Sequence, residues 1–403
     1  MMKKVILIQY GELTTKKQNR NLFIQTLYTN IQKALGDEEV FIEKNRVRMF
    51  LIVQDESRME AVIEKLKRVF GIHRIVIAYQ SNNNIDELKK NILQVVQNLK
   101  FATFKVETKR SNKQFPIPSM EFSSMIGGVI LKNIPGVSVD VHHPDYTLKL
   151  EIREKFTYIY GEEFAGAGGY PVGVQGKGIL MLSGGIDSPV SGYMAMKRGI
   201  KIECLYFESP PHTSAMAKNK VKDLVRELSL YQADIKLHII NFTKIQESIY
   251  QKMDPDYMIT IMRRMMYRIG EAVMKKRGAY VLINGESVGQ VASQTLASMA
   301  VINEVTHVPV IRPVSCLDKL EIIEIAKKIG TYDISILPYE DCCTIFLPKH
   351  PVIHPILEKA YEYENRVDYS TLIQEAVDNM ETISICKNTS SEKFKGSTRM
   401  SGN

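Results

Sequence analysis

The back half of the chain alternates fully apolar short runs with longer amphipathic segments, and few folds tolerate that pattern. GILMLSGG, KIECLYF, KLHIINF, AYVLING and VPVIRP show no polar alternation. Strands of that kind are buried on both faces. Helical segments lie between them, including MAKNKVKDLVRELSL, a long one containing IMRRMMYRIGEAVMKK, and DKLEIIEIAKKIG. The order predicts a doubly wound parallel sheet of the α/β class, covered by helices on both sides. In such sheets ligands bind beyond the carboxyl ends of the strands. The first strand ends there in SGGIDSPVSG.

Within that stretch, Gly184 and Gly185 let main-chain N–H groups approach an anion. Ser188 is suited to N-cap a helix and Pro189 to open it, so the helix dipole adds to the site. The loop is a phosphate cradle. It lacks the Gly-Lys-Ser/Thr of a Walker A loop and does not match GxGxxG. SGGIDS resembles the pyrophosphate loop of ATP pyrophosphatases, which cleave ATP to AMP and pyrophosphate while activating a carbonyl oxygen. The loop leaves open whether the final nucleophile is nitrogen or sulfur.

Further residues bear on the site. In GESVGQVASQT, Ser287 and Gln290 are spaced as a capping box, with Gln290 and Gln294 on one helix face. Arg264 and Arg268 lie four apart on a Met-rich segment beside Arg263. They read either as snorkelling surface residues or as phosphate ligands. Cys204 lies in an apolar strand and reads as core, Cys316 precedes a helix and reads as structural, and Cys386 has no context. Cys342 and Cys343 are adjacent in PYEDCCTIF, and the pair is either incidental or there for sulfur chemistry. Acidic neighbours raise a thiol's pKa, which a persulfide tolerates better. No CxxC or Cys/His cluster suggests zinc. His142 and His143 read as surface residues.

The front half is α+β in pattern, in two pieces. Residues 1–160 hold 25 Lys and Arg against 17 Asp and Glu, so the whole net charge of +8 resides there. Such asymmetry points to a polyanionic partner for the front and separate chemistry for the back. Seven glycines between residues 161 and 178 predict a flexible boundary. No apolar run reaches membrane-spanning length, and the N-terminus reads as a strand rather than a signal peptide. A reducing cytoplasm is therefore expected.

Taken together, YGEL, KNRVR, FPIPSMEFSSMIGG, GAGGYPVG, LMLSGGIDSPV, RRMMYRI, GESVGQVASQT and PYEDCCTIF resemble the tRNA 4-thiouridine synthetases. These are also called tRNA sulfurtransferases and are linked to thiamine biosynthesis. The resemblance implies a ferredoxin-like domain (1–74), a THUMP RNA-binding domain (75–160), a Gly-rich linker (161–178), an ATP pyrophosphatase domain (179–385) and a disordered tail (386–403). It implies ATP contacts at Met181, Leu182, Ser183, Gly184, Gly185, Ser188, Tyr206, Phe207, Arg263, Gly285 and Gln294, with Mg2+ on the triphosphate. Asp187 and Cys342 would be catalytic, and Cys342 would carry sulfur to uridine 8 of tRNA. Candidate tRNA contacts are Lys16, Lys17, Arg20, Lys109, Arg110 and Lys113. A cysteine desulfurase is the implied sulfur donor, with a thiazole-synthesis sulfur carrier as a further partner and a homodimer as the assembly. The alternative is a nitrogen-adding enzyme of the same loop class. Three features depart from the family pattern: GELTTKKQN lacks a glycine-bearing GxKN, PPHTSAMAKNK lacks an aromatic before Thr-Ser, and no rhodanese domain is expected after Cys342.

Overall fold

The computed structural model describes residues 2–11, 19–45, 47–339, 342, 348 and 350–387. Lys16, Lys17, Cys343 and residues 388–403 of the expected tail lie outside that set. The chain divides into two units, Met1–Gly169 and Tyr170–Asn403.

The first unit is built on one sheet. Its elements are β1 (Lys3–Tyr10), α1 (Arg20–Leu35), β2 (Val40–Lys44), β3 (Arg48–Val53), α2 (Met59–Leu66), β4 (Ile72–Asn82), α3 (Ile85–Val96), β5 (Thr103–Arg110), α4 (Ser119–Asn133), β6 (Ser138–Val139), β7 (Tyr146–Ile152), β8 (Phe156–Tyr160) and β9 (Glu163–Ala165). The strand order is β2-β3-β1-β4-β8-β7-β5-β6, with β9 also on β4. The boundary expected at residues 74 and 75 falls inside β4. That strand pairs with β1 from Lys3↔Gln80 to Tyr10↔Ile72, and with β8 from Tyr79↔Ile159 to Asn82↔Phe156. Local pattern suggested two pieces, but the long strand serves both. Arg48 of β3 and Glu151 of β7 form a buried bidentate pair at 2.7 and 2.8 Å, a second tie between the halves.

The glycine-rich stretch is not a free linker. Gly166 N donates to His73 O at 2.9 Å and Gly168 N to Ile72 O at 2.8 Å. A Cβ on Gly166 would stand 2.2 Å from Ile72 O, so only glycine lets the main chain lie this close to β4. From Tyr170 onward the stretch bonds into the second unit, with Tyr170 N donating to Lys197 O and Gly173 N to Gly199 O.

The second unit contains β10 (Lys177–Met181), α5 (Asp187–Lys197), β11 (Lys201–Glu208), α6 (Ala215–Gln232), β12 (Ile235–Asn241), α7 (Thr243–Lys252), α8 (Met258–Arg277), β13 (Val281–Ile283), α9 (Leu296–Asn303), β14 (Val310–Ile311), α10 (Lys319–Lys328), α11 (Tyr332–Ser335), α12 (Leu357–Glu364), α13 (Tyr369–Asp378) and β15 (Glu381–Ile385). The order is β14-β13-β10-β11-β12-β15. The first five strands are parallel, and β15 adds an antiparallel edge that the sequence pattern did not reveal. The core side chains of β10, β11 and β12 are almost wholly buried, which is why these strands carry no polar alternation. Gly192 lets α5 lie on β10, where a Cβ would meet Leu180 Cδ2 at 2.7 Å.

Arg264 and Arg268 fit neither reading drawn from the sequence. Arg264 is fully buried on α8, with Nε 2.6 Å from Glu364 Oε1 and Nη2 3.2 Å from Glu304 Oε2. Arg268 donates to both Glu364 oxygens at 2.8 Å. Burial alone would raise the Glu364 pKa, but the two guanidinium groups outweigh it and hold the carboxyl below its usual range. These arginines fasten α12 to α8.

Candidate active site

Connectivity fixes where a ligand belongs. From β10 the chain winds one way through β11 and β12, then returns to β13 on the other side of β10. The switch point lies between β10 and β13, and the loops leaving their carboxyl ends form its crevice. One is Leu182–Ile186, leading into α5. The other is Asn284–Ser287.

The first loop is shaped by its own serines. Ser183 N donates to Ser188 Oγ at 3.0 Å, Ser188 Oγ to Ser183 O at 3.2 Å, and Gly185 N to Ser183 Oγ at 3.3 Å. The helix begins at Asp187 with Ile186 in the capping position and no side-chain cap. Ser188 therefore does not cap α5 as expected, and Pro189 is its third residue. The Ser188 hydroxyl closes the loop instead, which turns the main chain around the anion cradle.

The second loop touches the first. A Cβ on Gly285 would lie 2.6 Å from Ser188 N and 2.8 Å from Asp187 C, so a side chain there would collide with backbone. Beneath it, Glu286 is 1% exposed. It accepts from Arg263 Nη2 (2.8 Å), Arg312 Nε (2.8 Å), Tyr267 Oη (2.9 Å) and Asn284 Nδ2 (2.9 Å). Burial alone would raise the Glu286 pKa, but the two guanidinium groups and the hydroxyl hold it below the usual carboxylate range. Burial, with the Glu286 charge beside it, pushes the Tyr267 phenol upward.

Asp187 stands at the mouth. Lys319 Nζ reaches its Oδ1 at 2.6 Å and Gln290 Nε2 its Oδ2 at 3.0 Å. The capping box expected at Ser287 and Gln290 does not form, and no helix begins there. Ser287 Oγ donates to Leu317 O at 3.3 Å, and Ser287 N donates to Gln294 Oε1 at 3.3 Å. Thr295 caps the next helix, α9. Gln290 and Gln294 thus leave a common helix face for separate tasks, one on Asp187 and one on the loop.

Tyr206 and Phe207 are buried near the end of β11. β10 ends at Met181, opposite Leu205, while β11 continues to Glu208. Leu182 N donates to Leu205 O at 2.8 Å. By strand alternation, the next main-chain groups turned to that side belong to Phe207, beyond the end of β10. They offer a donor and an acceptor above the cradle.

Cys342 is 3% exposed and lies in the same apolar cluster as Phe207, Phe242 and Met262. Its carbonyl accepts from Gln246 Nε2 of α7 at 2.6 Å. Cys204 is fully buried, and burial pushes its thiol far up, as its reading as core requires. Cys316, expected to be structural, is exposed. Of the residues around the crevice, Glu286, Arg312 and Lys319 were not found from sequence. Glu286 lay within a quoted motif, but nothing local marks the others.

In the first unit, Lys109 and Lys113 are exposed. Arg110 is committed to structure, with Nη1 donating to Phe115 O at 2.8 Å and to Ile117 O at 3.3 Å. Arg20 opens α1 near Tyr10, whose phenol is pushed upward by burial while the Arg20 charge acts the other way. Lys105, Lys109, Lys149 and Arg74 line a groove of about 570 Å³, in which Glu163 takes Arg74 at 2.7 Å and Lys149 at 2.8 Å.

An SGGIDS cradle at the switch point of a doubly wound sheet, preceded by a unit holding most of the excess positive charge, defines an ATP pyrophosphatase-type enzyme with an appended α+β unit. Residues 173–369 match the family described as "Thiamine biosynthesis protein (ThiI)", residues 5–76 its ferredoxin-like domain and residues 82–162 the THUMP domain. The "Probable tRNA sulfurtransferase" of Geobacillus kaustophilus is 50% identical over 95% of this chain and 96% of its own. That of Thermoanaerobacter sp. is 48% identical, covering 94% and 98%. A solved 4-thiouridine synthetase in complex with RNA and bound ATP is 37% identical, covers 95% of this chain and all of its own, and superposes with a TM-score of 0.88. The chain belongs to the tRNA sulfurtransferase family.

Proposed function

We propose that the protein makes 4-thiouridine at position 8 of tRNA in the cytoplasm, spending one ATP per sulfur. The observation that carries this reading is Cys342, held within the apolar cluster that also contains Phe207, in a chain whose switch point carries the SGGIDS cradle. The triphosphate would lie on the main chain of Ser183–Ser188, with the adenine over Phe207 and Arg263 and Gln294 ordering the crevice. Asp187 is the hard oxygen donor here. Asp187 would help to hold Mg2+, which would supply charge neutralisation to the departing pyrophosphate.

The chemistry has two steps. Uridine O4 attacks the α-phosphorus, the bond to pyrophosphate breaks, and an O4-adenylate forms. The terminal sulfur of a Cys342 persulfide then attacks C4 and AMP leaves with the C4–O4 bond's electrons. Breaking the S–S bond takes two electrons, which a second thiol supplies by forming a disulfide with Cys342. Cys204 is a poor second thiol because it is sealed in the sheet. Once a dithiol reductant has opened that disulfide, a cysteine desulfurase would reload the Cys342 thiol, and the same persulfide could serve a thiazole-synthesis sulfur carrier. The basic first unit would hold the tRNA.

The test is nucleoside analysis of tRNA from cells carrying Cys342→Ser. Loss of 4-thiouridine is expected, with tRNA-dependent pyrophosphate release retained in vitro. Undiminished 4-thiouridine would remove Cys342 from the reaction. A nitrogen-adding enzyme of the same loop class would be indifferent to this change.

A further inference from the structure

The segment that ends in Cys342 is fastened at three points. Ser335 Oγ donates to Gly185 O of the cradle at 3.3 Å. Lys220 of α6 donates to Leu337 O at 2.8 Å and to Tyr339 O at 3.4 Å. Gln246 of α7 donates to Cys342 O at 2.6 Å. Lys220 is 6% exposed and Gln246 is 3% exposed. We propose that Gln246 is a positioning residue for sulfur transfer: its amide fixes the main chain of Cys342, and so the direction of Sγ, while Lys220 holds the approach to it. This rests on the reading of Cys342 as the sulfur carrier.

Packing alone does not explain the glutamine. Only a donor can face a carbonyl, so its amide nitrogen is the atom turned to Cys342. That leaves Oε1 buried, with no hydrogen-bond partner among the described residues. An orphaned buried oxygen is costly. The surroundings are rich in methionine, and Nε2 lies 4.0 Å from Met262 Sδ. A methionine at 246 would fill nearly the same volume without a buried amide oxygen, but it would take the donor away from Cys342 O. The amide is explained by what it does for Cys342. The step it serves is sensitive to geometry, because a misplacement of about 1 Å in a reacting atom costs on the order of 100-fold in rate.

The test uses the full chain with tRNA, ATP and a sulfur source, and follows two steps separately in Gln246→Met. Sulfur transfer in a single turnover should fall by roughly 10- to 100-fold, while tRNA-dependent pyrophosphate release and the KM for ATP stay within about twofold. Alkylation of Cys342 by iodoacetamide should change in rate at an unchanged melting temperature. Sulfur transfer at the wild-type rate overturns the proposal, and so does an equal loss in both steps, which marks a merely structural residue. If Gln246→Met does not fold, Lys220→Met is measured in the same way, and the same split is expected. Should Cys342→Ser prove active, the sulfur-carrier reading fails. Should it be inactive while Gln246→Met is normal, only the positioning role fails.

Discussion

Arg263 Nη2 lies 2.8 Å from Glu286 Oε1, and the carboxylate that holds it is sealed from solvent beneath the switch-point crevice. Arg312 shares the same carboxylate, so a single anion balances two cations. Removing it by Glu286→Ala leaves both guanidinium groups partly buried without that partner. A destabilisation of about 3–5 kcal/mol is expected, read by denaturant unfolding. Glu286→Gln keeps the shape but loosens Arg263, and the KM for ATP should rise about tenfold, roughly 1.4 kcal/mol.

Gly285 sets the distance between the two loops of the crevice. In Gly285→Ala the new methyl would stand 2.6 Å from Ser188 N. Backbone cannot yield as a flexible side chain does, so the cradle must open. ATP affinity measured by calorimetry should fall by at least about tenfold while the far-ultraviolet circular dichroism is unchanged.

Glu203 governs part of the acid stability. It is buried at β11, with His238 Nε2 at 2.8 Å, Arg277 Nε at 2.8 Å and Lys177 Nζ at 3.2 Å. Burial alone would raise its pKa, but these partners carry it far below the usual carboxylate range. A carboxyl depressed in the folded state stabilises fully above its unfolded pKa. That contribution is lost as pH falls through the folded pKa. Wild-type stability should therefore decline below about pH 4.5. Glu203→Gln should be less stable at neutral pH and show a shallower acid limb in thermal unfolding.

Lys109 tests the charge argument. It is exposed on β5, whereas Arg110 beside it is bound to main-chain carbonyls. Lys109→Ala should weaken tRNA binding and lower the slope of log affinity against log salt by about one phosphate contact. Arg110→Ala should instead lower the melting temperature, because the 115–117 loop loses its donor.

Much of this architecture was legible before any coordinate. Apolar strands without alternation specify two-sided burial, and SGGIDS between such a strand and a helix specifies an anion cradle, because both depend on residues close in sequence. The elements missed or misplaced depend on distant ones. β4 reads as the end of one piece and the start of another until β1 and β8 are seen on either side of it. Gln290 has the spacing of a cap, but its partner Asp187 is 103 residues away. Arg264 reads as a surface residue or a phosphate ligand, yet Glu364 lies 100 residues on and makes its full burial tolerable. The sequence by itself determined the chemistry available: a cradle, a carboxylate and a thiol. Tertiary structure alone decided which groups meet. A buried charge or amide survives only opposite a partner, and long-range chain packing chooses that partner.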